Sequence, residues 1–174
     1  MLASSYENGI KSFKIIMINI NKEIFKKALI AGFFSAFTIG VLTILTYKSA
    51  FGLFLAGSFG SSMVLLFGFP ESPFAQPKNV FFGHLVTSLV GVIFVSLVPL
   101  PIYINIAIAV GIGIFFMILL NVVHPPAGGN PIIVIIGSVS FDYLIFPIIS
   151  GCLIIILLAI FINKFILKKN YPLK

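Results

Sequence analysis

Two histidines are the first residues in this chain with chemistry to offer, His84 and His124. His124 opens the run His124-Pro125-Pro126-Ala127-Gly128-Gly129-Asn130-Pro131. That run cannot be regular helix, because proline lacks the amide donor and clashes with the preceding turn. It is followed by the apolar stretch Ile132–Val139, about 12 Å long as a helix and too short to cross a bilayer. Irregular backbone at membrane depth survives only where protein or a water-filled cavity satisfies it. The amides of Gly128, Gly129 and Asn130 would then open a short helix and favour an anion. His124 beside them would donate a hydrogen bond or carry a proton; the plainer alternative is a histidine capping a surface loop. His84 follows Gly83 near the start of an apolar helix. An ionisable group there is a functional candidate, although closeness to the interface leaves a purely structural bond open.

A second polar interruption stands earlier in the chain. Ser58, Ser61 and Ser62 lie where Gly57-Ser58-Phe59-Gly60-Ser61-Ser62 breaks an apolar run. Their hydroxyls either face the same cavity as Gly128–Asn130 or bond carbonyls of their own helix. After them comes a proline-spaced polar loop with Glu71, Gln76, Lys78 and Asn79. Gln76 and Lys78, like Pro125 and Pro126, are read as pore-mouth residues, and Lys78 would attract an anion there. The default for that loop, and for Asp142, is solvated surface.

No nucleophile–base–acid set, phosphate loop or paired carboxylate site is visible. With four acids in the whole chain, metal catalysis has few ligands to use, and the expectation is no enzyme, no metal and no cofactor. Two histidines could ligate a haem iron, but nothing else in the sequence supports it. Cys152 is the only cysteine, which rules out a disulfide framework and reads as packing.

These candidates must be positioned by membrane-spanning elements. Of 174 residues, 60% are hydrophobic and 9% charged, against about a quarter charged in soluble domains. Charge-free stretches run from Ala28 to Tyr47, Ser49 to Pro70, Asn79 to Phe141 and Tyr143 to Asn163. The first, second and fourth each suit one span of about 20 residues. Pro99-Leu100-Pro101 and the His124 run divide the third into Val80–Val98, Ile102–Asn121 and the short apolar piece.

The expected fold is therefore an all-α membrane protein. It is a bundle of four full transmembrane helices and two interrupted or re-entrant half-helix segments. The order long, interrupted, long occurs twice, over 28–98 and 102–167, which suggests a 3+3 inverted repeat. Gly60 and Gly68 are spaced like Gly129 and Gly137. Six crossings, or four with two re-entrant pieces, both leave the termini on one side; they differ in where Glu71–Lys78 lies.

The net charge of +7 comes from 11 lysines. They cluster before the first span (Lys11, Lys14, Lys22, Lys26, Lys27) and after the last (Lys164, Lys168, Lys169, Lys174). That is the positive-inside pattern, so both termini are expected in the cytoplasm of a cell with the chain in its inner (plasma) membrane. It suits anionic lipid headgroups and does not call for nucleic acid. Residues 1–27 read as a cytoplasmic, interfacial amphipathic segment, in which Glu23 and Lys27 can pair at i,i+4. Residues 28–167 read as the transmembrane domain, and 168–174 as a basic tail. Small residues at every fourth position, such as Gly32, Ala36 and Gly40 or Gly83, Thr87 and Gly91, read as helix-packing faces, within one chain or in a homo-oligomer.

The segment Val123-His124-Pro125-Pro126-Ala127-Gly128-Gly129-Asn130-Pro131 resembles the signature of the HPP family of integral membrane proteins. Gly60-Ser61-Ser62-Met63-Val64-Leu65-Leu66-Phe67-Gly68, with Pro70, Ser72-Pro73, Ala75-Gln76-Pro77 and Gly83-His84 behind it, is similar to that family's other recognisable block. The resemblance implies a transporter-like protein. Members from chloroplasts and photosynthetic bacteria are associated with nitrite transport, which makes nitrite the leading candidate among small inorganic anions. Many members carry Arg where this chain has Lys78, and lysine keeps the charge but loses the bidentate fork. Set against this are a channel for a neutral solute, a haem protein, and a structural or assembly partner with no flux of its own.

Overall fold

The structure is a computed structural model, and it describes residues 22–49 and 52–173. Most of the expected amphipathic segment, residues 1–21, lies outside the described residues. α1 spans Lys22–Lys48 and so starts six residues before the charge-free stretch. Lysines at a helix end reach the interface with their stems on apolar surface, so Lys22, Lys26 and Lys27 do not stop it. α2 spans Gly57–Met63 and continues through wide π turns over Val64–Gly68. α3 is Pro77–Leu97 and α4 is Ile102–Leu119. A 3-10 stretch, Pro125–Gly129, leads into α5, Asn130–Ile136. α6 covers Ser150–Phe161, extended by π turns at Leu144–Ile149 and Ile162–Ile166.

Four of these helices are long and apolar enough to cross a membrane: Lys22–Lys48, Pro77–Leu97, Ile102–Leu119 and Leu144–Ile166. Their outward residues are apolar: Phe33, Phe37, Phe115, Leu157 and Phe161 are all more than half or close to half exposed. Only a lipid solvent makes such a surface favourable. The chain is a multi-pass membrane protein.

The first interrupted segment runs antiparallel to α1 along its length. Phe54 N–H donates to Thr46 Oγ1 (3.0 Å) near the end of α1, and the Phe67 ring lies 6.0 Å from that of Phe34. The Lys27 ammonium sits 4.2 Å over the Phe69 ring at the start of α1. The second segment runs along α3, from Asn130 beside His84 to Ile135 packed with Val90. Glu71 shares a cavity with Lys27 and Lys169, so the Glu71–Lys78 loop lies on the lysine-rich side. That placement is the one six passages require.

α3 is the centre of the bundle, burying Val80, Gly83, His84, Thr87, Ser88, Val90, Gly91 and Val92. α1 is peripheral, with only Thr38 and Leu42 fully enclosed. The main apolar core joins α2, its π turns and α6 through Phe59, Met63, Leu66, Phe67, Ile148, Cys152, Ile155 and Ile162. Residues 168–173 pack back on the Glu71 loop: Tyr171 O–H donates to the Ala75 carbonyl (2.8 Å) and Leu173 N–H to Gln76 Oε1 (2.8 Å). The ammonium of Lys27 turns to the Phe69 ring, where the i,i+4 spacing suggests a pair with Glu23; an aromatic face competes well with an exposed carboxylate.

Candidate functional site

α2 and α5 begin at the same place, beside His84, and lead away from it in opposite directions. His84 lies two turns into α3 and is 0% exposed; His124, at the entry to the 3-10 turn, is also 0% exposed. Their rings are 5.0 Å apart. Ser62, on the second turn of α2, stands between them. Its Oγ is 2.8 Å from His124 Nε2 and 3.0 Å from His84 Nε2. Asn130, the first residue of α5, brings Nδ2 to 3.0 Å from His84 Nδ1. Ser58, Thr87 and Ser88 complete a buried polar cluster without a charged side chain.

Donor and acceptor chemistry limits the direction of this chain of bonds. The carbonyl of Phe74 can only accept, so His124 Nδ1, at 2.7 Å from it, carries the hydrogen. The Ser62 hydroxyl has one hydrogen and three partners: His124 Nε2, His84 Nε2 and the Ser58 carbonyl one turn back (3.2 Å). When that hydrogen goes to a neutral His124, the Ser62 oxygen accepts from His84 Nε2–H. That leaves His84 Nδ1 as an acceptor, and it faces the Asn130 amide. The amide nitrogen must be the atom on this side, since it also reaches the accept-only carbonyl of His84 (3.2 Å). The result is one relay: Asn130 to His84 to Ser62 to His124 to the Phe74 carbonyl. At its far end the Asn130 Oδ1 is buried with no partner.

Local sequence explains how the relay is held. Gly83 lets the His-Pro-Pro loop lie on α3, because a Cβ there would stand 2.8 Å from His124 Cβ and 3.0 Å from the Val122 carbonyl. Gly91 does the same for α5, with Pro131 Cα at 2.9 Å and Val134 Cβ at 3.0 Å from an added Cβ. Asn79 Nδ2 donates to the Val123 carbonyl (2.9 Å), and His124 N–H reaches the Met117 sulfur (3.4 Å). The Phe59 ring edge packs on His84 at 5.1 Å.

The residues singled out in the sequence separate into three sets. His84, His124, Ser62 and Asn130 meet in the cluster, and Ser58 reaches its edge, 3.4 Å from His84 Nδ1. Gly128 and Gly129 shape the 3-10 entry to α5 and are half-buried. Ser61 is exposed and points out of the cluster, because helical geometry places only Ser58 and Ser62 on one face. Pro125 and Lys78 are exposed and Pro126 is half-buried. Gln76 is occupied by the loop it braces, donating to the carbonyls of Pro70 (3.0 Å) and Ser72 (2.8 Å). Sequence reasoning missed Ser88 and the Phe74 carbonyl and took Thr87 for packing alone. Ser88 had a signal, as a neighbour of His84 on one face of α3 at i,i+4; a backbone carbonyl leaves none. Among the described residues no group of three or more His, Cys, Asp or Glu could hold a metal ion.

Comparison with known proteins agrees with this architecture. Residues 20–172 match the family described as HPP, transmembrane region. A transmembrane protein of Dictyostelium discoideum is 38% identical over 143 residues, covering 76% of this chain and 50% of that protein. A second from the same organism is 37% identical over 127 residues, covering 69% and 41%. The chain thus spans about half the length of the curated relatives it matches. No solved structure matches it.

Proposed function

The chain belongs to the HPP family of integral membrane proteins, and from that premise we propose that it is a channel or transporter for a small inorganic anion, nitrite first. The permeant species meets the protein at the His84–Ser62–His124–Asn130 cluster. One observation carries the reading: a cluster of two imidazoles, hydroxyls and a carboxamide buried where two interrupted helices begin. Polar groups at membrane depth are costly unless they serve a pathway.

The chemistry of the cluster refines the form in which the substrate passes. The unpartnered Asn130 Oδ1 needs a donor, and a bare anion offers none. No lysine stands at the cluster to offset the desolvation of a full charge. The anion's conjugate acid brings an O–H for Asn130 Oδ1 and loses far less hydration energy. The cluster itself stays neutral while it holds that O–H, so no charge is left in the core. Lys78, exposed on the lysine-rich side, attracts the anion before it takes up its proton from water. On this reading the lysine-rich face is cytoplasmic and the membrane is the inner (plasma) membrane.

The neutral lining also favours a second reading, a channel for a small neutral solute that both donates and accepts hydrogen bonds. Flux into proteoliposomes separates the two. Nitrite entry into vesicles with the native chain, Ser62→Ala, His124→Ala and no protein should be fastest with the native chain. It should rise as external pH falls, and drop at least about tenfold in Ser62→Ala, a loss of roughly 1.4 kcal/mol. Native flux equal to empty vesicles would end the nitrite reading. Flux of an uncharged solute with no nitrite flux would favour the second.

A further inference from the structure

On the lysine-rich side, away from the relay, α1, the Glu71 loop and the chain's end enclose a cavity of about 340 Å³. It is lined by Glu23, Lys26, Lys27, Glu71 and Lys169, with Ile30 and Leu167 as its floor. An apolar groove of about 510 Å³ shares Lys27 with it and runs along α1 against the π turns after α2. Its walls include Ala28, Ala31, Gly32, Val64, Gly68 and Phe69. The groove exists because Gly32 and Gly68 lack side chains: nothing lies within 4 Å of a Cβ added at either.

We propose that this pair of cavities binds one anionic phospholipid, its phosphate between Lys26, Lys27 and Lys169 and one acyl chain in the groove. Charge and shape argue for this occupant. Three ammonium groups meet two carboxylates in the upper cavity, and none of the lysines there is in an ion pair among the described residues. Lys27 is held over the Phe69 ring, a weak partner for a full charge beside the headgroup layer. Lys169 is half-buried, and burial, with Lys27 nearby, lowers its pKa while Glu71 raises it. An anion between Lys27 and Lys169 removes their mutual repulsion. Ammonium groups bind phosphate as point charges, and basic pockets between membrane helices on the lysine-rich side suit anionic headgroups. The groove is lined almost wholly by apolar residues of a membrane-spanning helix, so a soluble anion would leave it unfilled.

The site stands apart from the relay and does not depend on what is transported. The test is lipid retention by the purified full chain in detergent, read by native mass spectrometry with dioleoylphosphatidylglycerol or dioleoylphosphatidylcholine. The native chain should prefer the glycerol lipid about tenfold, the three lysines being partly offset by Glu23 and Glu71. Lys27→Gln with Lys169→Gln should bring the two lipids to parity. Gly32→Leu, filling the groove, should weaken both. Equal retention by the native chain would overturn the proposal, as would a preference that survives the double substitution. Displacement of the lipid by inorganic phosphate would give the cavity to a soluble anion instead.

Discussion

The two interrupted segments, 57–68 and 125–136, perform the same topological task by different means. The first is seated by side-chain volume. Phe59, Met63, Leu66 and Phe67 are fully or almost fully buried in the main core, and Ser58 and Ser62 lie on the face left over. The second is seated by missing volume. Its Pro131 and Val134 fit against Gly91 of α3, His124 against Gly83, and Pro131 also touches Gly113 of α4. In a lipid solvent no hydrophobic drive pulls helices together, so close contact must come from packing. A short segment can achieve that either by filling a hole or by entering a groove cleared for it. The segment held by cleared grooves carries the histidine and the asparagine, whose bonds require tight placement. The one held by bulk carries the serine that bridges the two rings.

The sharpest way to break the comparison is to ask whether both segments cross. A cysteine at Ser72, with Cys152→Ser to remove the native thiol, should react with an impermeant maleimide only from the face that carries the chain's end. Reaction from the opposite face would return the first segment to a re-entrant loop and undo its equivalence with the second. Next in size is Phe67→Ala, which should cost about 3–5 kcal/mol of stability in detergent, since Phe67 is 0% exposed. A loss under 1 kcal/mol would show that volume does not seat the first segment.

Gly83→Ala sharpens the other side. The new methyl meets His124 Cβ and the Val122 carbonyl, so the loop must shift, at about 1–3 kcal/mol, and flux should fall with it. Gly60→Ala, with nothing within 4 Å, should stay within about 0.5 kcal/mol. Equal effects at the two glycines would remove the cleared-groove account. The smallest contrast compares neighbours. Ser62→Ala strips both imidazoles of a partner and should cost about 1–3 kcal/mol, whereas exposed Ser61→Ala should change stability by less than about 0.5 kcal/mol and leave flux intact.

Much of the fold was legible because a bilayer restricts what a chain can do. Backbone groups in hydrocarbon must be satisfied within helices, so charge-free length, divided by Pro and Gly, located the four spans and the two interruptions. The start of α1 was less legible, because lysine at a helix end neither breaks the helix nor leaves the interface. Within the site, residue type picked out His84, His124, Ser62 and Asn130, since polar groups in an apolar run are rare and costly. It could not separate Ser62 from Ser61, which depends on which helical face meets α3. Nor could it find the Phe74 carbonyl, which any residue type would provide.

By itself the sequence determined the solvent, the spans, the two interruptions and the polar residues standing in them. These follow from transfer free energies and backbone chemistry, which act over a few turns of chain. Only the tertiary structure decided that both interrupted segments begin beside one histidine, and that the Glu71 loop joins the two lysine-rich ends. Only it brought the partners of the two imidazoles to them, because Phe74 and Asn130 stand 50 and 46 residues away along the chain.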